Sequence, residues 1–326
     1  KNSFLRYAVE QGQTVFVVSW VNPDESLAHK SFDDYLREGP LAALDAIAKA
    51  TGESEINLLG YCIGGTLAAS AAAWLAAKKD RRLASLTLLT AMLDFTDAGE
   101  LAVFIDEDQL ARLDAYMDSK GYLEGHQMAR VFNLMRDNDL IWSFVINNYL
   151  LGRDPPPFDL LYWNADSTRM PAMMHKFYLR KMYLENKLIE PGALSLEGVP
   201  LDLGRIEIPA YVLATREDHI APWTSVHAGT RHLSGPVRFA LAASGHIAGV
   251  VNPPAANKYG YWLNAKTTKT PEAWLAGATR HEGSWWTDWM RWLGGFAGGS
   301  VAARVPGSGG LKALGPAPGD YVKMRS

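Results

Sequence analysis

Two hydrophobic rhythms alternate along the chain. Runs in which nearly every residue is apolar or β-branched occur at Glu55 to Leu59, Leu83 to Thr90, Ile208 to Thr215 and Val237 to Ala243. These runs predict strands. Thr14 to Trp20 is a nearly continuous β-branched and aromatic run and is predicted as a strand covered on both faces of a parallel sheet. Between the runs, apolar residues recur at helical spacing: Ser3 to Gln11, then Phe32, Tyr35, Leu36, Leu41, Leu44 and Ile47 before a stop at Gly52, then about Gly65 to Lys79, then Trp223 to Leu233. Strands alternating with helices make βαβ units, so the class is α/β with a mostly parallel, doubly wound sheet.

The rhythm breaks between Leu93 and about Leu203. Helical segments at Glu107 to Met117 and His126 to Leu151 alternate with loops carrying Pro155, Pro156, Pro157 and Pro171. This block is read as an inserted, mainly helical cap. The expected organisation is a first core segment at 1–92, a cap at 93–203, a second core segment at 204–252 and a tryptophan-rich tail at 253–326. Trp262, Trp274, Trp285, Trp286, Trp289 and Trp292 are read as core or subunit packing. Gly294 to Gly319 has linker composition and is expected to be poorly ordered.

Composition narrows the function classes. A chain of 326 residues with 48% hydrophobic residues and a net charge of -3 can bury one large core and has no basic stripe for nucleic acid. A single cysteine excludes an intrachain disulfide framework and fits a reducing compartment. With no secretory signal, lipidation motif or bilayer-length apolar run, a soluble cytoplasmic protein is expected. The chain opens at Lys1 without methionine and reads as lacking its true N-terminus.

The chemistry centres on that cysteine. Cys62 lies in Gly60-Tyr61-Cys62-Ile63-Gly64-Gly65-Thr66, between a strand pattern and an alanine-rich helix pattern. This is the strand–turn–helix setting of a nucleophile elbow, and it marks the α/β-hydrolase fold. Glycines two residues before and two after the nucleophile are expected to be required by the tight turn. The backbone N–H of Ile63, at the helix start, is the expected oxyanion donor. A lone cysteine is more often a small buried hydrophobe, but its position here outweighs that reading.

A cysteine nucleophile needs a base, and the base an orienting acid. His246, after the run Val237 to Ala243, and Asp218, after Ile208 to Thr215, stand in the chain order of that fold and at the carboxyl ends of parallel strands. Asp94, after Thr90, is the rival acid. His219 adjoins the acid, while His29, His126, His175, His227, His232 and His281 are read as surface or packing residues. No cofactor and no metal are expected.

With these residues in place, the chain resembles the polyhydroxyalkanoate synthases. The matching stretches are Val18 to Asp24, Gly60 to Thr66, Phe158 to Pro171, Glu217 to Trp223, Gly245 to Pro254 and Gly283 to Trp289. The resemblance implies an acyltransferase that polymerises (R)-3-hydroxyacyl-CoA into polyester with release of CoA, with Cys62, Asp218 and His246 as its triad. The tail and the closing run from Ala317 to Val322 resemble the class I, single-polypeptide type, which implies short substrates such as 3-hydroxybutyryl-CoA. It also implies a homodimer at the surface of cytoplasmic polyester granules, with granule-associated proteins as further partners. The family's N-terminal domain, its first catalytic strands and the loop that helps form the oxyanion hole have no counterpart here. A cysteine-dependent esterase or acyl-CoA thioesterase is the rival on the same fold, and a catalytically silent granule-surface protein the rival of another class.

Overall fold

The computed structural model describes residues 2–135, 142–154, 168–266 and 268–320. They divide into two compact units, one formed by 1–18, 33–102 and 181–314, the other by 19–32, 103–180 and 315–326.

The larger unit is built on a sheet. β1 (Ile56–Tyr61) and β2 (Leu83–Leu89) come first, and two short ladders follow in the chain: β3 (Tyr122–Leu123) with β4 (Met170–Pro171), and β5 (Ser195–Leu196) with β6 (Val199–Pro200). The main sheet resumes with β7 (Ala210–Thr215), β8 (Val237–Ala242), β9 (Tyr261–Leu263) and β10 (Thr279–His281). Its order is β1-β2-β7-β8-β9-β10, parallel from β1 to β8 and antiparallel at β9 and β10. The parallel strands are the uniform apolar runs, and every residue of β7 is buried.

The helix Ile63–Ala77 lies against β1 and β2, and Ala68, Ala69, Ala71, Ala72 and Ala73 are all buried. Small side chains let its backbone approach the sheet closely. Its two buried hydroxyls are satisfied locally, Thr66 donating to the Met92 carbonyl at 2.9 Å and Ser70 to the Thr66 carbonyl at 2.9 Å. The predicted helix around Phe32 to Ile47 forms as Phe32–Leu36 and Ala42–Thr51, joined by a wider turn at Arg37–Leu41. That turn accommodates Pro40, which has no N–H to give a regular helix. Gly52 ends the second part at φ 76°, as its position predicted.

Three expectations are corrected. Thr14 to Trp20 forms no strand, and Phe16 and Val17 are exposed. A strand exists only with a hydrogen-bonded neighbour, and no ladder among the described residues includes this run. Second, the run Val237 to Ala243, expected to be the last strand of the sheet, is followed by β9 and β10, which extend the sheet as an antiparallel pair. Third, part of the glycine-rich tail is docked: the Gly310 N–H donates to the Lys49 carbonyl at 3.1 Å and Arg304 Nη1 to the Thr51 carbonyl at 3.0 Å. Both acceptors lie in the last turn of Ala42–Thr51, where carbonyls lack intrahelical partners.

Four of the tail tryptophans are core, while Trp262 and Trp292 are half-buried. Trp274, Trp285, Trp286 and Trp289 are buried, and Phe4 packs its ring 4.9–5.5 Å from the last three. The smaller unit has its own core of Met117, Leu123 and Ala172, where the helices Glu107–Lys120 and Ala172–Phe177 meet. In it Trp142, Tyr149 and Met173 are exposed, while Pro155, Pro156, Pro157 and Trp163 lie outside the described residues.

Candidate active site

β1 ends at Tyr61, and Cys62 follows at φ 55°, ψ -128° before the helix opens at Ile63. A non-glycine residue there is strained, and such strain gathers where a side chain must be thrust out of the regular chain path. The turn is fastened to the neighbouring strand by the Cys62 N–H, which donates to the Leu89 carbonyl at 2.9 Å. Ile63 opens the helix, so its N–H belongs to the first turn, whose amides have no intrahelical acceptor.

The glycine requirement falls differently from the expectation. A Cβ on Gly60 would sit 2.3 Å from the Gly64 carbonyl oxygen, and one on Gly65 would sit 2.3 Å from the Ala91 Cβ. A Cβ on Gly64 would meet nothing within 4 Å. The turn therefore needs glycine two residues before and three after Cys62.

His246 and Asp218 are brought together. His246 Nδ1 lies 2.7 Å from Asp218 Oδ2, with both side chains buried. The carboxylate is held in turn by the Thr215 hydroxyl at 3.0 Å and by the backbone N–H groups of Ile220 and Ala221, each at 2.9 Å. Cys62 is the other side chain that acts on this imidazole. Burial opposes charge on this ring, but the interactions with Asp218 and Cys62 and the charges of both outweigh it, and the imidazole is pushed up to about 10.

Asp94 is engaged elsewhere. It accepts from the Thr96 N–H and hydroxyl at 3.0 and 2.6 Å and from Asn186 Nδ2 at 2.9 Å, and His232 stands 3.6 Å away. Burial works to raise its pKa, but these bonds prevail and hold the carboxyl below its usual value. Of the two rival acids, only Asp218 bonds His246.

Two residues of the site went unread in the sequence. Tyr61 donates its hydroxyl to the His246 carbonyl at 3.0 Å, and burial, then the charges of Cys62 and Asp218, raise its pKa well above that of an ordinary phenol. Thr215 is the other, and its signal was legible: a hydroxyl at a strand end three residues before a loop carboxylate. Among the described residues, no cluster of three or more His, Cys, Asp or Glu side chains is placed to hold a metal ion. No helix of the described residues is long and apolar enough to cross a membrane.

A strained residue between a parallel strand and a buried helix, with an acid and a histidine on loops after later strands, defines an enzyme-like site of the α/β-hydrolase class. Residues 2–253 match the family described as alpha/beta hydrolase fold, and the chain belongs to it. Within that class the similarity is more particular. The chain is 52% identical over 326 residues to the poly(3-hydroxyalkanoate) polymerase subunit PhaC of Rhizobium meliloti, covering 100% of this chain and 53% of that protein. It is 51% identical to the poly(3-hydroxyalkanoate) polymerase of Methylorubrum extorquens and 46% identical to the polymerase subunit PhaC of Cupriavidus necator, covering 54% and 56% of them and 100% of this chain. The resemblance drawn from the motifs thus extends along the whole sequence. The chain spans about half the length of the relatives it matches.

Proposed function

We propose that this chain carries the acyl-transfer centre of a polyester-forming enzyme that takes (R)-3-hydroxyacyl-CoA, with 3-hydroxybutyryl-CoA as the substrate to test first. One observation carries the proposal: the buried imidazole of His246 is bonded to a loop carboxylate and interacts with the thiol of an elbow cysteine. His246 takes the Cys62 proton, and the thiolate attacks the thioester carbonyl. The C–S bond to CoA breaks, CoA leaves as its thiol with that proton, and the acyl group rests on Cys62. The Ile63 N–H stabilises the oxyanion formed on the way.

His246 then removes the proton from a hydroxyl of another hydroxyacyl unit, whose oxygen attacks the acyl-cysteine. An ester forms and the Cys62 thiol is restored. Sulfur suits this sequence because exchange of one thioester for another keeps the acyl group activated for attack by an alcohol. Asp218 orients His246 and offsets its positive charge.

The test is incubation with 3-hydroxybutyryl-CoA, with polymer, free acid and released CoA measured separately. Cys62→Ala is expected to abolish CoA release, and Asp218→Asn to lower it by roughly 10³- to 10⁴-fold, while Asp94→Asn stays within tenfold of the parent. Polymer from the Cys62→Ala chain would sink the covalent route. Free hydroxy acid without polymer from the parent would make the enzyme a thioesterase.

A further inference from the structure

His246 sits in a turn whose backbone bonds are internal: the Gly249 N–H donates to the Gly245 carbonyl at 2.8 Å, and the N–H groups of Val250 and Val251 donate to the Ile247 carbonyl at 3.1 and 2.8 Å. The Val250 carbonyl accepts from the Asn252 N–H at 3.0 Å, which leaves the Gly249 carbonyl and the second lone pair of Val250 to be satisfied from outside the turn. Two consecutive tryptophans do so, Trp285 Nε1 donating to Gly249 at 3.0 Å and Trp286 Nε1 to Val250 at 2.8 Å. Both indoles and the two residues they bond are buried, so the Gly249 carbonyl has no water as an alternative donor, while Val250 keeps its bond from Asn252. Gly249 is further pressed against the acid's support, since a Cβ there would lie 2.5 Å from Thr215 Cγ2.

Apolar packing alone does not call for this arrangement. Any large ring fills core volume, but two adjacent N–H donors aimed at two adjacent carbonyls fix the turn in register. We infer that Trp285 and Trp286 are positioning residues for His246, setting the imidazole between Asp218 and Cys62 from a tail helix 36 residues beyond the turn. This rests on the triad reading above. A general base displaced by about 1 Å forfeits on the order of 10²-fold in rate, so the tether matters to chemistry as well as to folding.

Cys62 is the one cysteine of the chain, which makes thiol alkylation a direct reporter. The rate of Cys62 alkylation by iodoacetamide is measured from pH 5 to 10 for the parent, Trp285→Phe, Trp286→Phe, the double variant and His246→Ala, with urea unfolding of each. The tryptophan variants are expected to react about five- to twentyfold more slowly at pH 7, with pH profiles displaced toward that of His246→Ala. A purely structural role would lower the urea midpoint and leave the pH profile in place, and that outcome overturns the inference. If His246→Ala itself superimposes on the parent, the triad reading fails first. Should a phenylalanine variant not fold, the benzothiophene analogue of tryptophan at the same position removes only the N–H, and the same comparison decides.

Discussion

Cys62 and His175 show how differently two uncommon residues can be held. Cys62 is strained in its backbone yet its side chain interacts with His246, whereas His175 sits in an ordinary helix with a buried ring whose Nδ1 has no partner. Burial pushes the His175 imidazole down to about 4, against a partial pull upward from Asp114. A histidine with a lowered folded pKa contributes stability that is fully present above its unfolded pKa of about 6.5 and is lost as pH falls toward 4. Between pH 7.5 and 5 the parent should therefore lose about 2 kcal/mol more unfolding free energy than His175→Leu. Urea titrations at the two pH values measure this, and equal losses in both proteins would place His175 in contact with water. The same sequence reading that put His175 among packing residues could not foresee its titration, because spacing shows which face is buried but not whether a ring nitrogen finds an acceptor there.

Elements whose fate is decided locally were legible, and those decided by neighbours were not. The parallel strands, the elbow and the helix after it follow from continuous apolar runs, paired glycines and an alanine-rich stretch, and they bring Cys62, Asp218 and His246 to one place. Thr14 to Trp20 has the same apolar character but joins no ladder among the described residues. β10 was hidden for the opposite reason: Thr279-Arg280-His281 is exposed and polar, and only its pairing with β9 makes it a strand. At the elbow the pattern G-x-C-x-G-G left the weight of each glycine open. Space now ranks them, and Gly65→Ala is expected to cost about 1–3 kcal/mol by overpacking against Ala91 and to slow Cys62 alkylation. Gly64→Ala should be neutral or stabilising by up to about 1 kcal/mol, since the helix interior favours alanine. Urea midpoints and alkylation rates of the two variants test the ranking, and a reversed order would show that the turn relaxes around Gly65.

For the larger unit as a whole, one buried carboxylate ties the tail to the sheet. Asp288, in the helix Trp286–Leu293, accepts from Arg238 Nε at 2.9 Å and Nη2 at 2.5 Å on β8 and from the Tyr211 hydroxyl at 3.1 Å on β7. Beside it Trp289 donates to the Thr87 hydroxyl on β2 at 3.0 Å, so one short helix engages three parallel strands. An ion pair of this kind stabilises little relative to an apolar replacement, but breaking half of it strands a buried charge. Asp288 is 1% exposed while the Arg238 side chain is 41% exposed, and Arg291 Nη1 stands 3.5 Å from the same carboxylate, so solvent and a second cation offset part of the loss. Arg238→Met is then expected to destabilise the chain by about 2 kcal/mol, toward the low end for a broken buried pair. The double variant Arg238→Met/Asp288→Leu should recover more than half of that, retaining about 1 kcal/mol of cost for the Tyr211 hydroxyl left without its acceptor. If the two substitutions instead add, Asp288 holds the tail through Tyr211 rather than through the ion pair. Tryptophan fluorescence, weighted toward the tail, and far-UV dichroism, weighted toward the whole chain, should give the same urea midpoint in every one of these variants where the tail helix unfolds with the sheet; a fluorescence transition at lower urea than the dichroism would make the helix a separable layer and leave the His246 turn to hold itself.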